Sequence, residues 1–101
     1  MSNEELIEKA KLRIRKTSSD KLDQDIEQLV NVALADLQRI GVHPTRLENI
    51  SDPLLVEAVL LYVKANFGNP QNATELTESY NMMCVKIKGG GYHRNNVETA
   101  D

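Results

Sequence analysis

Ser51-Asp52-Pro53-Leu54-Leu55-Val56-Glu57-Ala58-Val59-Leu60-Leu61-Tyr62-Val63-Lys64-Ala65-Asn66-Phe67-Gly68 is the stretch on which the fold turns. A capping side chain before a proline in the first turn marks where a helix starts. Phe67-Gly68 marks where it stops. Between Leu54 and Ala65 only Glu57 and Lys64 are charged, and they lie seven residues apart on one side. A helix apolar nearly all round has to be covered on several sides. It is therefore either the central helix of a small bundle or one whose outer face meets another subunit.

Upstream, Asp20 to Ile40 predicts a long amphipathic helix. Leu22, Ile26, Leu29, Val30, Ala33, Leu37 and Ile40 fall in an arc of about 100°, opposite Asp25, Gln28, Asn31 and Gln38. Gly41 followed by Val42 has the pattern of a helix ended by a left-handed glycine and an apolar contact. Asp36, at the edge of the apolar arc, is read as the partner of Arg39 or of a basic residue nearer the N-terminus rather than as an acid or base. A loop from Val42 to Ser51 follows, pinned by Leu47 and Ile50, with Pro44 placed to open a single helical turn.

The N-terminal segment predicts a helix from Asn3 to Arg15. Ser2 and Glu5 form a capping box, and Leu6, Ile7, Ala10 and Ile14 make one apolar stripe. The last helix is expected to start at Asn72, with Glu75 completing a second capping box. Ala73, Leu76, Tyr80, Met83, Cys84 and Ile87 form its seam, and Gly89-Gly90-Gly91 end it. The expectation is an all-α, four-helix bundle over residues 1–88, followed by a glycine-hinged tail, residues 89–101, that is mobile from Tyr92 to Asp101.

Composition bounds the function. The chain has 101 residues, 41% of them hydrophobic and 27% charged, which fits one globular domain. Four aromatic side chains and no Trp make a stacking platform for single-stranded nucleic acid a poor fit. Cys84 is the sole cysteine, so an internal disulfide is ruled out and a reducing compartment is expected. The acidic start Met1-Ser2-Asn3-Glu4-Glu5 does not read as a signal peptide. The run Leu54–Val63 is too short to span a bilayer. A soluble protein with no membrane partner is expected.

No Gly-rich phosphate loop, paired-histidine metal motif or nucleophile elbow occurs. The soft or imidazole ligands are only His43, Cys84 and His93, short of the clustered set that structural zinc requires. Cys84 reads as a small core residue. No catalytic residue, cofactor or metal is expected.

Two surfaces remain. The net charge is −3, yet residues 9 to 21 carry six basic side chains against Asp20. Lys9, Arg13 and Lys16 share one helix face, Lys11 and Arg15 form a second row, and Glu5 can offset Lys9. This is either a solvated charged face or a surface for phosphates or an acidic protein patch. Tyr92-His93-Arg94 is either a frayed end or an arm that orders on a partner, with the glycines as hinge.

The order of these pieces resembles a known family. Lys11-Leu12-Arg13-Ile14 lies in a basic first helix, and Ala35-Asp36-Leu37 comes shortly before Gly41. Asp52-Pro53-Leu54 opens a helix carrying Ala58-Val59 and Tyr62-Val63-Lys64-Ala65-Asn66-Phe67-Gly68, and Glu78-Ser79-Tyr80 lies in the last. Over residues 4–88 the chain is similar to the head–tail connector (adaptor, or DNA-packaging) proteins of tailed bacteriophages and prophages. The resemblance implies a non-enzymatic ring of about a dozen subunits at the virion neck, assembled in the host cytoplasm. Such a ring docks beneath the portal protein, extends the DNA channel, helps retain packaged DNA and offers a platform to the next tail-completion protein. By the same analogy the flanks of the second or third helix meet neighbouring subunits, the basic row faces DNA or an acidic partner, and the C-terminal arm grips the portal. The alternative is a small helical DNA-binding regulator, which the basic segment favours. Its overall acidity and the long connection after Gly41, where a helix-turn-helix wants three or four residues, count against it. A helical enzyme subunit or chaperone has no positive support.

Overall fold

In the computed structural model, which describes residues 2–14, 23–68 and 70–94, Asp52 opens the central helix as its sequence requires. Its backbone is extended and its side chain accepts a hydrogen bond from Leu54 N at 2.9 Å, with Pro53 in the first turn. The helix it starts, Pro53–Asn66, is the fourth in chain order and is called α4. Gly68, at φ +65°, turns the chain beyond Phe67 in a conformation that L side chains rarely adopt.

Around α4 stand α1 (Asn3–Arg13), α2 (Asp23–Arg39) and α5 (Ala73–Lys88), all three in contact with it. Leu55, Ala58, Val59, Leu60 and Val63 are almost wholly buried, while Leu54, Leu61 and Tyr62 are partly so. Of the two readings of the all-round apolar helix, the central one holds. Each fully buried leucine or valine of this core contributes about 1.5–3 kcal/mol relative to exposure.

The flanking helices follow their sequence signals closely. In α2, Ile26, Val30, Ala33 and Leu37 are fully buried, and Leu29, with Ile40 just past the helix end, is partly buried at the edge of the stripe. Gly41 adopts φ +114°. Its N–H donates to Gln38 O and that of Val42 to Leu37 O, both at 3.0 Å, and Val42 is buried. This is the paired arrangement that satisfies the last carbonyls of a helix. In α1 the capping box forms: Glu5 N donates to Ser2 Oγ and Ser2 N to Glu5 Oε1, each at 3.2 Å. Leu6, Ala10 and Ile14 are buried. The helix ends at Arg13 rather than the expected Arg15, with Ile14 as its cap.

Two expectations are corrected. The described residues hold five helices where the bundle was expected to have four, the fifth being the single turn expected at Pro44, α3 (Thr45–Glu48). Four residues show no periodicity, and one turn is unstable alone; buried Leu47 and Ile50 hold it in place. The second capping box does not form. Asn72 sits at φ −102°, ψ 29° with no side-chain cap bond, whereas an N-cap side chain reaches the first turn from an extended backbone. Instead, Ala73 N donates to Pro70 O at 3.2 Å.

Candidate assembly surfaces

The basic row of α1 is only partly available. Lys9 is exposed. Lys11 pairs with Glu8 at 3.4 Å, one turn away. Arg13 reaches across to α4 and donates from both terminal nitrogens to Glu57, at 3.1 and 3.5 Å. Both partners are over a third exposed, so the pair adds at most about 1 kcal/mol. It explains Glu57 in an otherwise apolar helix and takes one charge from the row. Glu5 is committed to its cap, and the bonds from the Ser2 backbone and hydroxyl hold its carboxyl below the usual range. Arg15, Lys16 and Lys21 lie outside the described residues.

The start of the tail is docked, so the expected mobility does not apply to Tyr92. Its hydroxyl donates to Asp52 Oδ2 at 2.8 Å, while Oδ1 of the same carboxylate caps α4. His43 N donates to Tyr92 O at 2.8 Å, and the Arg46 guanidinium lies 5.2 Å from the ring centre. Arg46 Nε also donates to Arg94 O at 2.6 Å. Burial, followed by the bond to Asp52, pushes the Tyr92 phenol up to about 12. Gly90 permits the docking, because a Cβ there would stand 2.7 Å from the tyrosine ring. His93 and Arg94 are exposed, and the rest of the tail lies outside the described residues.

A polar cluster joins α2 to α5. Asp36 accepts from Tyr80 Oη at 2.5 Å and from Arg39 Nε at 2.8 Å. Partial burial pushes the Asp36 carboxyl up, and the bonds from Tyr80 and Arg39 outweigh it, leaving it below its ordinary value. Burial, followed by the bonds to Asp36 and Cys84, raises the Tyr80 phenol. Tyr62 packs edge-on against Tyr80 at 5.2 Å. Oδ2 of Asp36 serves the contact with α5 through Tyr80, while Oδ1 takes Arg39 of its own helix as the sequence indicated. Cys84 is buried beside it, its thiol raised by that burial. Among the described residues, no three His, Cys, Asp or Glu side chains gather where they could hold a metal ion.

Sequence reasoning did not single out the exposed apolar residues. Met82 and Val85, on the outer side of α5, are 65% and 69% exposed. Val32 of α2, 41% exposed, lines a groove of about 410 Å³ with Leu29 and with Phe67 and Gly68 at the end of α4. Their signal was present as apolar residues off the helix seams. Among the described residues, no helix is long and apolar enough to cross a membrane.

Among the described residues the regular structure is helical throughout, with exposed apolar residues on α5 and an apolar groove between α2 and the end of α4. A family model described as "Phage connector protein" matches residues 6–89, all five helices but the first turn. The chain belongs to this family of phage connector proteins. No match was found among curated proteins or among solved structures.

Proposed function

We propose that this chain is a non-enzymatic head–tail connector subunit that assembles as a ring beneath the portal at the virion neck. The ring continues the DNA channel, helps retain the packaged genome and presents a surface to the next tail component. The observation that carries this reading is the family match over residues 6–89. The apolar groove between α2 and α4 and the exposed pair on α5 leave apolar surface open to a partner, which fits this reading. Closed symmetry multiplies any charged feature of one subunit around the ring. Lys9 and Lys11 of α1 are the charges we assign to DNA or an acidic partner, with Arg15 and Lys16 following in sequence; Arg13, held by Glu57, is not counted among them.

The regulator alternative gains nothing from Arg13, whose guanidinium is already held by Glu57. The test is to mix the purified chain with portal assemblies and image the mixture by negative stain. Extra density on one face of the portal is the expected result. Bare portals at every concentration, together with salt-dependent duplex binding by the free chain, would favour the regulator.

A further inference from the structure

The exposed apolar residues of α5 and the groove beside α2 have matching chemistry. Met82, Val85 and Lys86 stand at i, i+3 and i+4, so they form one contiguous ridge. The opposite side of α5 carries Tyr80, Cys84 and Ile87 into the core, which aims this ridge away from α4. The groove is bounded by α2 and the end of α4. Its α2 wall carries Asp25, Leu29 and Val32 at i, i+4 and i+7, and Phe67 forms the facing wall. The ridge is an apolar pair with Lys86 at its C-terminal end and exposed Glu78 one turn before Met82. The groove's apolar pair has Asp25 one turn before Leu29, so an antiparallel arrangement sets Lys86 against Asp25 and keeps Glu78 away from it. Ridges of one helix packing into the groove of another is the ordinary geometry of helix contacts.

We propose that the Met82–Val85–Lys86 ridge docks into the Leu29–Val32–Phe67 groove of a second copy of this chain, with Lys86 facing Asp25. The two surfaces belong to different faces of one subunit, so the ridge cannot fill its own groove. A contact between unlike faces is head-to-tail: each copy that joins leaves one groove and one ridge open, and the contact repeats until it closes. This deepens the connector reading and rests on it only for closure into a ring; the contact itself depends on the residues just described.

Val32→Lys blocks the groove and Val85→Lys blocks the ridge, both at exposed positions where folding is little affected. Sedimentation velocity of the full chain, run up to about 1 mM, a range that detects contacts of only a few kcal/mol, gives the readout. The unchanged chain is expected to associate with rising concentration. Each variant alone should lose that association by at least about tenfold, which corresponds to roughly 1.4 kcal/mol. An equal mixture of the two variants should form dimers that grow no further, because one intact groove meets one intact ridge. Association of either variant like that of the parent, higher species in the mixture, or a monomeric parent throughout would overturn the proposal. Portal binding separates this from the connector reading. Variants that still decorate portals as the parent does condemn the interface alone. A parent that self-associates through this contact yet ignores portals condemns the connector reading alone.

Discussion

Asp52 is the residue with the most duties: one carboxylate oxygen starts α4 and the other holds the Tyr92 hydroxyl. Replacing it by alanine removes an N-cap, at a cost of about 1 kcal/mol. It also removes a bond of similar size, so denaturant unfolding of Asp52→Ala should show a loss of about 1–2 kcal/mol. Tyr92→Phe, which keeps the cap and loses only the bond, should show about 0.5–1.5 kcal/mol. Asp36→Ala leaves the buried Tyr80 hydroxyl without its acceptor, and a loss of about 1–3 kcal/mol is expected in the same assay. The raised phenols fix an alkaline limit. Tyr92 keeps its proton to about 12, while an unfolded tyrosine releases it near 10, so the unfolded state binds fewer protons in that window. Stability should therefore fall as pH rises from about 10 to about 12. The lowered Asp36 acts at the other end, where its contribution is lost as pH falls below its unfolded value of 3.8. A flat profile across both windows would contradict these assignments.

At the scale of elements, α4 carries the fold. Leu60→Ala in its buried face should cost about 2–5 kcal/mol in denaturant unfolding, whereas Lys64→Ala on its exposed side should be nearly neutral. The apolar pattern of this helix, its Asp52-Pro53 start and the Gly41 end of α2 were all legible, because each is a local rule with a local cause. The single turn α3 was legible only as a placement of Pro44, since its stability comes from burying Leu47 and the following Ile50 in the core rather than from any periodicity in four residues. Asn72 shows the limit of motif reading. The residue types of a capping box were present, but the turn at Pro70 set a backbone from which the side chain makes no cap.

At the scale of the whole molecule, the surfaces were less legible than the core. The basic row could be read from charge spacing, but its loss of Arg13 to Glu57 joins residues 44 apart in sequence, and local periodicity says nothing about such a pair. Tyr92 looked like part of a loose arm because the contacts that hold it, at Asp52, Arg46 and His43, also come from distant positions. The groove needed two helices to exist before Leu29, Val32 and Phe67 could line it. Family membership and these surfaces together make the neck of the virion the setting in which the account stands or falls. The most direct measurement is complementation of a phage from which this gene has been deleted. The account predicts that deletion leaves filled heads that lose their DNA and acquire no tails, and that supplying the chain restores tailed, infectious particles. Normal numbers of tailed, infectious particles from the deletion itself would contradict it.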